Sequence, residues 1–242
     1  MSYYIASFSG GKDSTAMVLW LLEQGWPLDE VVFYDTGMEF QAVYGIRDKI
    51  AALLKTKNIK FTELCPEVPF LYEMFEKPRK EKDGSIKYGY GWCGGPCRWH
   101  TERKLRLLNR YTKQKEATVY VGIAIDEPLR LERLASNKTS PLAVAGMTEA
   151  DCLQYCHDRG YYWYENGIEL YSILDRVSCW CCSNKNLTEL RNMWMFLPEY
   201  WQRLKDLQSK IPRPMKKYKN KKYGEYGNIF DLEKVFESEE MK

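Results

Sequence analysis

The 242-residue sequence lacks the features that define several classes of protein. It has no uncharged apolar run of about 18 residues, the length that a transmembrane helix needs, so no membrane association is expected. Its first 20 residues also lack the charged start and the cleavage site of a secretory signal. With 45% apolar and 14% aromatic residues, the chain can bury the core of one large domain, with or without an appendage. We therefore expect a globular cytoplasmic protein.

The net charge is also small, at +3, so the field of the whole molecule indicates no particular partner. The basic residues are nevertheless concentrated in one span that also carries Tyr218 and Tyr223. The basic side chains of this span are those of Lys210, Arg213, Lys216, Lys217, Lys219, Lys221 and Lys222. Phosphate contacts and aromatic stacking make a nucleic acid a candidate partner here. The alternative is a solvated, flexible basic connector.

A Walker phosphate loop is missing near the amino terminus, although the segment is built to bind an anion. Ala6 stands where the Walker pattern requires its first glycine, and Asp13 follows Lys12 where Ser or Thr should stand. The segment Ser9-Gly-Gly-Lys-Asp-Ser14 instead joins a predicted strand, 3–8, to a predicted amphipathic helix, 15–24. Two glycines allow close approach of the backbone, and the first N–H groups of the helix point at the ligand. This junction therefore predicts a phosphate site.

Asp13 indicates which kind of phosphate compound the site would bind. A carboxylate repels phosphate unless a cation such as Mg²⁺ lies between them. We therefore expect a magnesium-bridged polyphosphate, with Lys12 and Asp13 as candidate catalytic residues. The residues expected to contact the polyphosphate are Ser9, Gly10, Gly11, Lys12, Asp13 and Ser14.

Strand and helix patterns alternate after this loop. Predicted strands at 31–34 and 59–64 enclose a predicted helix at 41–55, which favours a parallel sheet whose ligand site lies at the carboxyl ends of the strands. The predicted fold is α/β, a Rossmann-like three-layer arrangement with helices on both faces of a parallel sheet, plus a helical, cysteine-containing C-terminal part. Further elements are predicted as a strand at 118–125 and helices at 101–111, 127–134, 148–159, 187–196 and 199–210.

Changes in composition suggest three regions. Residues 1–140 are predicted to form the nucleotide-binding α/β domain, with a proline- and glycine-rich excursion at 66–100. Residues 141–211 would form a helical, cysteine-rich part packed on it. Residues 212–242 would form a basic C-terminal tail.

Eight cysteines in a chain expected to be cytoplasmic are poor candidates for a disulfide framework. Two short clusters in loops predict a four-ligand site for zinc or an iron–sulfur cluster, two alternatives that the sequence leaves open. The chosen ligands are Cys93, Cys97, Cys179 and Cys182, with Cys181 or His100 as the alternative for one of them. Cys152 and Cys156, four residues apart in a predicted helix, are interpreted as buried thiols.

Several segments in order resemble the phosphoadenosine phosphosulfate (PAPS) reductase family of the PP-loop superfamily, whose members cleave ATP between its α and β phosphates. They are SGGKDS at 9–14, DTGMEF at 35–40, CRWHTERKL at 97–105 and GIAIDEPLR at 122–130. The resemblance implies an adenine nucleotide whose adenosine lies near Asp35, Thr36 and Gly37. It also implies that Arg130, as a catalytic residue, or Arg133 meets the anionic remainder of the ligand, although both fit the exposed face of a helix equally well.

One departure from the resemblance decides the order of the functional hypotheses. PAPS reductases attack with a cysteine in a C-terminal tail, whereas no cysteine follows Cys182 here. We therefore expect an ATP pyrophosphatase that adenylates an acceptor, for sulfur transfer from a donor protein, in a chain that could also form oligomers. The alternatives are a PAPS or adenylylsulfate reductase-like enzyme, using Cys179, Cys181 or Cys182, and a non-catalytic nucleotide- or nucleic-acid-binding module with structural zinc.

Overall fold

The structure is a computed structural model that describes residues 2–93, 97, 101–216, 218–222 and 224–240. Its strands are β1 (Tyr3–Phe8), β2 (Glu30–Tyr34), β3 (Lys60–Leu64), β4 (Pro78–Lys80), β5 (Ile86–Tyr88), β6 (Ala117–Val121), β7 (Lys138–Thr139), β8 (Tyr164–Glu165), β9 (Ile168–Glu169), β10 (Tyr218–Asn220) and β11 (Gly224–Tyr226). Its helices are α1 (Lys12–Glu23), α2 (Gln41–Thr56), α3 (Phe70–Phe75), α4 (Thr101–Gln114), α5 (Pro128–Leu131), α6 (Pro141–Val144), α7 (Glu149–His157), α8 (Leu170–Ile173), α9 (Leu187–Phe196), α10 (Pro198–Ser209) and α11 (Ile229–Glu240).

A five-stranded parallel sheet with the order β3-β2-β1-β6-β7 organises the fold. The chain moves outward from β1 to β3 and then returns to β6 on the other side of β1. Right-handed crossovers therefore put α1 and α2 on one face of the sheet and α4 on the other. The predicted Rossmann-like α/β fold is confirmed. Because the strand order reverses beside β1, the ligand site of such a sheet is expected at the carboxyl ends of β1 and its neighbours.

Strand β1 is buried on both of its faces. Ile5 packs with Val32, Leu108 and Ala117 in a buried cluster on the α4 side. Ala6, the next residue, is fully buried as well. Because β1 also pairs with β2 on one side and with β6 on the other, the loop that follows it lies at the middle of the sheet.

Several predicted boundaries differ from the observed ones, and the differences at α1, β6 and α5 have a local cause. Helix α1 begins at Lys12, three residues before the predicted start, because the loop passes directly into the first helical turn. Strand β6 ends at Val121, where the chain meets the backbone of that turn. The helix predicted at 127–134 is only α5, since Arg133 N–H already bonds to the carbonyl three residues back.

Contacts divide the chain into two compact units, residues 1–65 with 104–164 and residues 66–103 with 165–242. The first unit contains the parallel sheet. The second contains the excursion predicted at 66–100, which forms α3 and the hairpin of β4 and β5. The domain boundaries predicted at 140 and 211 stay predictions.

The second unit has a helical core, as predicted for the C-terminal part. The two helices expected at 187–196 and 199–210 are present as α9 and α10. Helix α11 was not expected, and it buries Ile229, Leu232 and Phe236 completely or nearly so. The ring of Phe236 contacts those of Trp194 and Trp201 at centroid distances of 5.7 and 6.0 Å. Residues 229–240 are therefore part of a packed core.

The basic span lies just before α11, in part on the hairpin of β10 and β11. Lys219, Lys221 and Lys222 are exposed there, whereas Lys217 and Tyr223 lie outside the described residues. Nucleic-acid binding by this span stays a prediction. Among the helices of the described chain, none combines the length and the apolar character that crossing a bilayer requires.

Replacement of Phe236 by alanine tests whether α11 belongs to the core. We expect Phe236→Ala to lower the free energy of unfolding by about 3–5 kcal/mol, because it leaves a cavity at a fully buried ring. Phe230→Ala, at a position of the same helix that is 36% exposed, is the matched control and should cost much less. Denaturant titration measures both. Equal small losses would show that the helix adds nothing to the core.

Candidate phosphate-binding site

The loop after β1 has a left-handed backbone at its second position, which strongly favours glycine. Gly10 has φ +75°, and a Cβ at this residue would stand 2.6 Å from Cγ1 of Val43. The carbonyl oxygen of Gly10 accepts a hydrogen bond of 2.7 Å from Nε1 of Trp163, which is fully buried. The hydrogen bond from Trp163 therefore stabilises the left-handed turn. The sequence alone did not indicate a role for Trp163.

The start of α1 is open to a ligand. Gly11 is the N-cap residue, and as a glycine it has no side chain with which to cap the helix. The hydroxyl groups of Ser14 and Thr15 instead donate to the carbonyl oxygen of Gly11, at 3.1 and 2.9 Å. Ser14 Oγ also accepts from the backbone N–H of Ser9 at 3.1 Å. The hydroxyls thus stabilise the loop, and the helix N-terminus keeps its preference for an anion.

Lys12 is held at this helix N-terminus although only 7% of it is exposed. Its Nζ lies 2.7 Å from Oδ1 of Asp13 and 3.0 Å from Oε2 of Glu149. Burial lowers the pKa of Lys12, but its hydrogen bonds and charge interactions with Asp13 and Glu149 outweigh burial, so the pKa is raised above its ordinary value. The ammonium group therefore stays charged throughout the physiological pH range.

Asp13 shares its surroundings with other carboxylates. Burial raises the pKa of Asp13, the contact with Lys12 lowers it, and the negative charges of Glu149 and Glu127 raise it further, so that the net shift is upward. A hard cation between Asp13 and phosphate oxygens would relieve this repulsion. Mg²⁺ commonly binds proteins through one or two carboxylates together with substrate phosphates, and Asp13 fits that role.

The end of β6 fixes the loop from the other side. A Cβ at Gly122 would lie 2.8 Å from the backbone N of Ser14 and 2.9 Å from the carbonyl carbon of Asp13. Just beyond, Asp126 accepts hydrogen bonds from the backbone N–H of Glu149, at 3.1 and 3.3 Å. Gly122 therefore allows the backbone after β6 to touch the first turn of α1, and Asp126 connects the same segment to α7.

The segment expected to contact adenosine forms a tight turn at the end of β2. Oδ1 of Asp35 accepts hydrogen bonds from the hydroxyl of Tyr44 at 2.7 Å and from the backbone N–H of Gly37 at 2.8 Å. Thr36 is buried and donates to Oε1 of Glu39 at 2.8 Å. Because β2 adjoins β1, Asp35 and the phosphate loop lie at the same edge of the sheet. Contact of Asp35, Thr36 and Gly37 with a nucleoside stays a prediction.

The two arginines named from the sequence are on or near α5. Arg130 donates to both carboxylate oxygens of Glu127, at 2.5 and 2.6 Å, and its side chain is 55% exposed. Arg133 is exposed. Their predicted contact with the ligand stays a prediction.

The two cysteine clusters both lie in the second unit. Ser183 Oγ donates to the carbonyl oxygen of Cys93, which brings the two cysteine-bearing loops into contact. Within the described ranges, however, no group of three or more His, Cys, Asp or Glu side chains is arranged to hold a metal ion. The alternative ligand His100 lies outside those ranges. Metal binding by Cys93, Cys97, Cys179 and Cys182 therefore stays a prediction.

Cys152 and Cys156 are fully buried thiols, as interpreted from the sequence. Burial raises the pKa of Cys156 to about 12, so this thiol is neutral at physiological pH. Its Sγ donates to the carbonyl oxygen of Lys12 at 3.4 Å. The role of Cys156 in the described structure is therefore to pack α7 against the start of α1.

Comparison with known families agrees with this geometry. Residues 3–134, more than half of the chain, match the phosphoadenosine phosphosulfate reductase domain. The chain belongs to this family. It is a family of the PP-loop superfamily, and its members bind adenine nucleotides. A search of curated proteins found no match. The matched residues include the phosphate loop and β6, whereas Glu149 and Trp163 lie beyond them.

Replacement of Gly122 by alanine tests the close approach of β6 to α1. Gly122→Ala should displace the first turn of α1, since the new Cβ would meet only backbone atoms there, and should destabilise the fold by about 1–3 kcal/mol while weakening nucleotide binding. Gly45→Ala is the control, because it lies within α2 with open space around it and should be stabilising by up to about 1 kcal/mol. Thermal unfolding and nucleotide titration measure these effects. Wild-type binding by Gly122→Ala would contradict the proposed contact.

Anaerobic purification tests the predicted metal ligands. We expect bound iron with a brown chromophore or bound zinc without colour, and we expect Cys182→Ser to lose the metal because it removes one thiolate ligand. Cys65→Ser, at an exposed cysteine of the first unit, is the control and should keep the metal. Elemental analysis measures the metal content, and visible spectroscopy detects the chromophore. Metal content that is the same in both variants would remove Cys182 from the ligand set.

Proposed function

We propose that this protein cleaves ATP between the α and β phosphates, releasing pyrophosphate and transferring AMP to an acceptor. The observation that carries the proposal is the buried ammonium group of Lys12 at the uncapped N-terminus of α1. This arrangement gathers a full positive charge and backbone N–H groups at one point, which suits the terminal phosphates of a nucleotide.

The proposed reaction is a displacement at the α phosphorus. An oxygen of the acceptor attacks this phosphorus, the bond from it to the bridging oxygen breaks, and the electron pair leaves with pyrophosphate. Lys12 and the N–H groups of the loop stabilise the negative charge that grows on the leaving group. Asp13 would hold Mg²⁺, which when bound supplies further positive charge to the phosphates. Lys12 remains protonated because its carboxylate partners raise its pKa.

Sulfur transfer is the proposed continuation. Adenylation turns the acceptor oxygen into a leaving group, so that a sulfur nucleophile can displace AMP at the activated atom. Membership of a family that handles sulfonucleotides supports sulfur as the incoming atom. The proposed adenylation step uses no metal held by the cysteine clusters.

The family match also favours a second candidate, reduction of a sulfonucleotide such as PAPS. In that reaction a thiolate attacks the sulfur of the sulfonate, the bond from this sulfur to the phosphate oxygen breaks, and the electron pair leaves with the nucleotide. A thiol reductant then attacks the cysteine sulfur, which releases sulfite and forms a disulfide. Cys179 or Cys182 would be the nucleophile because both are partly exposed whereas Cys181 is buried. Labelled ATP with Mg²⁺ should yield AMP and pyrophosphate under the first proposal. Release of sulfite from PAPS in the presence of a thiol reductant would identify the second. Binding of a nucleotide without either product would indicate a non-catalytic module.

Lys12→Ala tests the role of the loop directly. We expect it to lower kcat/KM for ATP at least about 100-fold, the usual cost of removing one group that stabilises developing negative charge. The control is Lys57→Ala, at an exposed position after α2, and Lys217→Ala in the basic span should likewise have little effect. Pyrophosphate release is the assay. Small and equal effects of all three substitutions would remove the loop from the mechanism.

A further inference from the structure

We propose that Trp163 is a positioning residue that sets the orientation of the Gly10–Gly11 peptide group for phosphate binding. This inference rests on the proposed function, since it takes the phosphates of the nucleotide as the anion. The observation that supports it is the hydrogen bond of 2.7 Å from Nε1 of Trp163 to the carbonyl oxygen of Gly10.

The geometry of the peptide group makes this hydrogen bond consequential. In a planar trans peptide the C=O and N–H bonds point in opposite directions. A carbonyl oxygen of Gly10 that points at Trp163 therefore directs the N–H group of Gly11 away from Trp163. Gly11 is the N-cap residue of α1, so on this proposal its N–H group lies beside those of the first helical turn at the anion site. A rotated peptide would turn a carbonyl oxygen toward the phosphate and repel it.

Two adjacent glycines make such control necessary. Without a Cβ, glycine reaches both signs of φ readily, so a Gly-Gly peptide can rotate at low cost. Gly10 has φ +75° in the described conformation. An indole that is fully buried, with its N–H donated to the carbonyl oxygen of Gly10, favours one orientation because a rotated peptide group would lose this hydrogen bond.

The same segment of the chain holds the loop at two further points. Glu149 and Cys156 of α7 contact Lys12, at Nζ and at the carbonyl oxygen respectively. Just beyond α7, Arg159 pairs with Glu23, the last residue of α1, at 2.6 Å. Trp163 follows in the same segment of the chain. The contacts of this segment with α1 therefore help to position Trp163 beside Gly10.

Trp163 lies beyond the matched family region, which ends at residue 134. Its contact with Gly10 spans 153 residues of sequence, and Glu149 reaches Lys12 across 137. The structure thus assigns the control of the phosphate loop to residues that the family match does not include.

The test uses NMR spectra of the full chain, labelled with glycine carrying ¹³C at the carbonyl carbon and ¹⁵N at the amide. Only amides that follow a glycine show a ¹³C–¹⁵N correlation, and the sequence has two Gly-Gly pairs, at 10–11 and 94–95. A Gly94→Ala sample identifies the signal of Gly11. We expect inorganic pyrophosphate, added with Mg²⁺, to shift the Gly11 signal in the wild type. Binding of pyrophosphate or ATP that leaves this signal unmoved overturns the inference without any Trp163 variant.

Trp163→Phe removes the donor and keeps an aromatic ring. We expect it to move the Gly11 signal in the free protein and to weaken pyrophosphate binding about tenfold, the ratio that a lost hydrogen bond of about 1.4 kcal/mol gives. Trp201→Phe is the matched control, because Trp201 is also buried and donates from Nε1 to Glu233 at 2.8 Å in the second unit. It should leave both the Gly11 signal and the affinity unchanged.

The outcomes separate this inference from the proposed function. A wild-type protein that binds neither pyrophosphate nor ATP would contradict the proposed function. A wild type that binds both, together with Trp163→Phe of equal affinity, would overturn the role of Trp163 alone. A merely structural role would lower the melting temperature of Trp163→Phe without changing its affinity well below that temperature.

Discussion

The buried ammonium group of Lys12 is the constraint on which the site depends. A charge removed from water costs several kcal/mol unless partners compensate it, and here Asp13 and Glu149 do so at 2.7 and 3.0 Å. Glu149 can serve only because α7 begins beside α1, where Thr148 and Asp151 form a capping box and Asp126 binds the backbone of Glu149. A phosphate that enters this site would replace these carboxylates as the anionic partner of Lys12. The free energy cost of burying the ammonium group is therefore already compensated in the protein without ligand.

The parallel sheet supplies the rest of the arrangement. It places the ends of β1, β2 and β6 side by side, and each contributes a different property: the open helix N-terminus, the turn at Asp35 and the close backbone approach at Gly122. At the opposite edge, the fully buried Glu30 accepts hydrogen bonds from Thr62 and Tyr111 and pairs with Lys60 and Lys115. Burial raises the pKa of Glu30, but these partners hold it at about 2. The starts of β2 and β3 are thereby joined to α4.

Local patterns made the fold and the loop predictable, whereas distant contacts remained hidden. The run from Ser9 to Ser14 and the spacing of Thr148 and Asp151 are short-range signals, and both correspond to observed local structure. Glu149 and Trp163 reach the loop across more than a hundred residues, which no periodicity in one sequence encodes. Helix α11 did carry a local signal, since Asn228 caps the backbone of Phe230 and Asp231, but the basic residues before it favoured a tail. A run of basic residues indicates that this part of the chain is solvated. It does not reveal that the helix after it has an apolar face.

The most direct test of the central claim is a crystal structure with Mg²⁺ and an ATP analogue that carries a methylene group between its α and β phosphates. We expect density for the β and γ phosphates at the start of α1, within hydrogen-bond distance of backbone N–H groups of the loop and of Nζ of Lys12. We also expect the adenosine to lie toward Asp35. A nucleotide bound elsewhere, with Lys12 still paired to Asp13 and Glu149 and no phosphate beside Gly11, would contradict this claim.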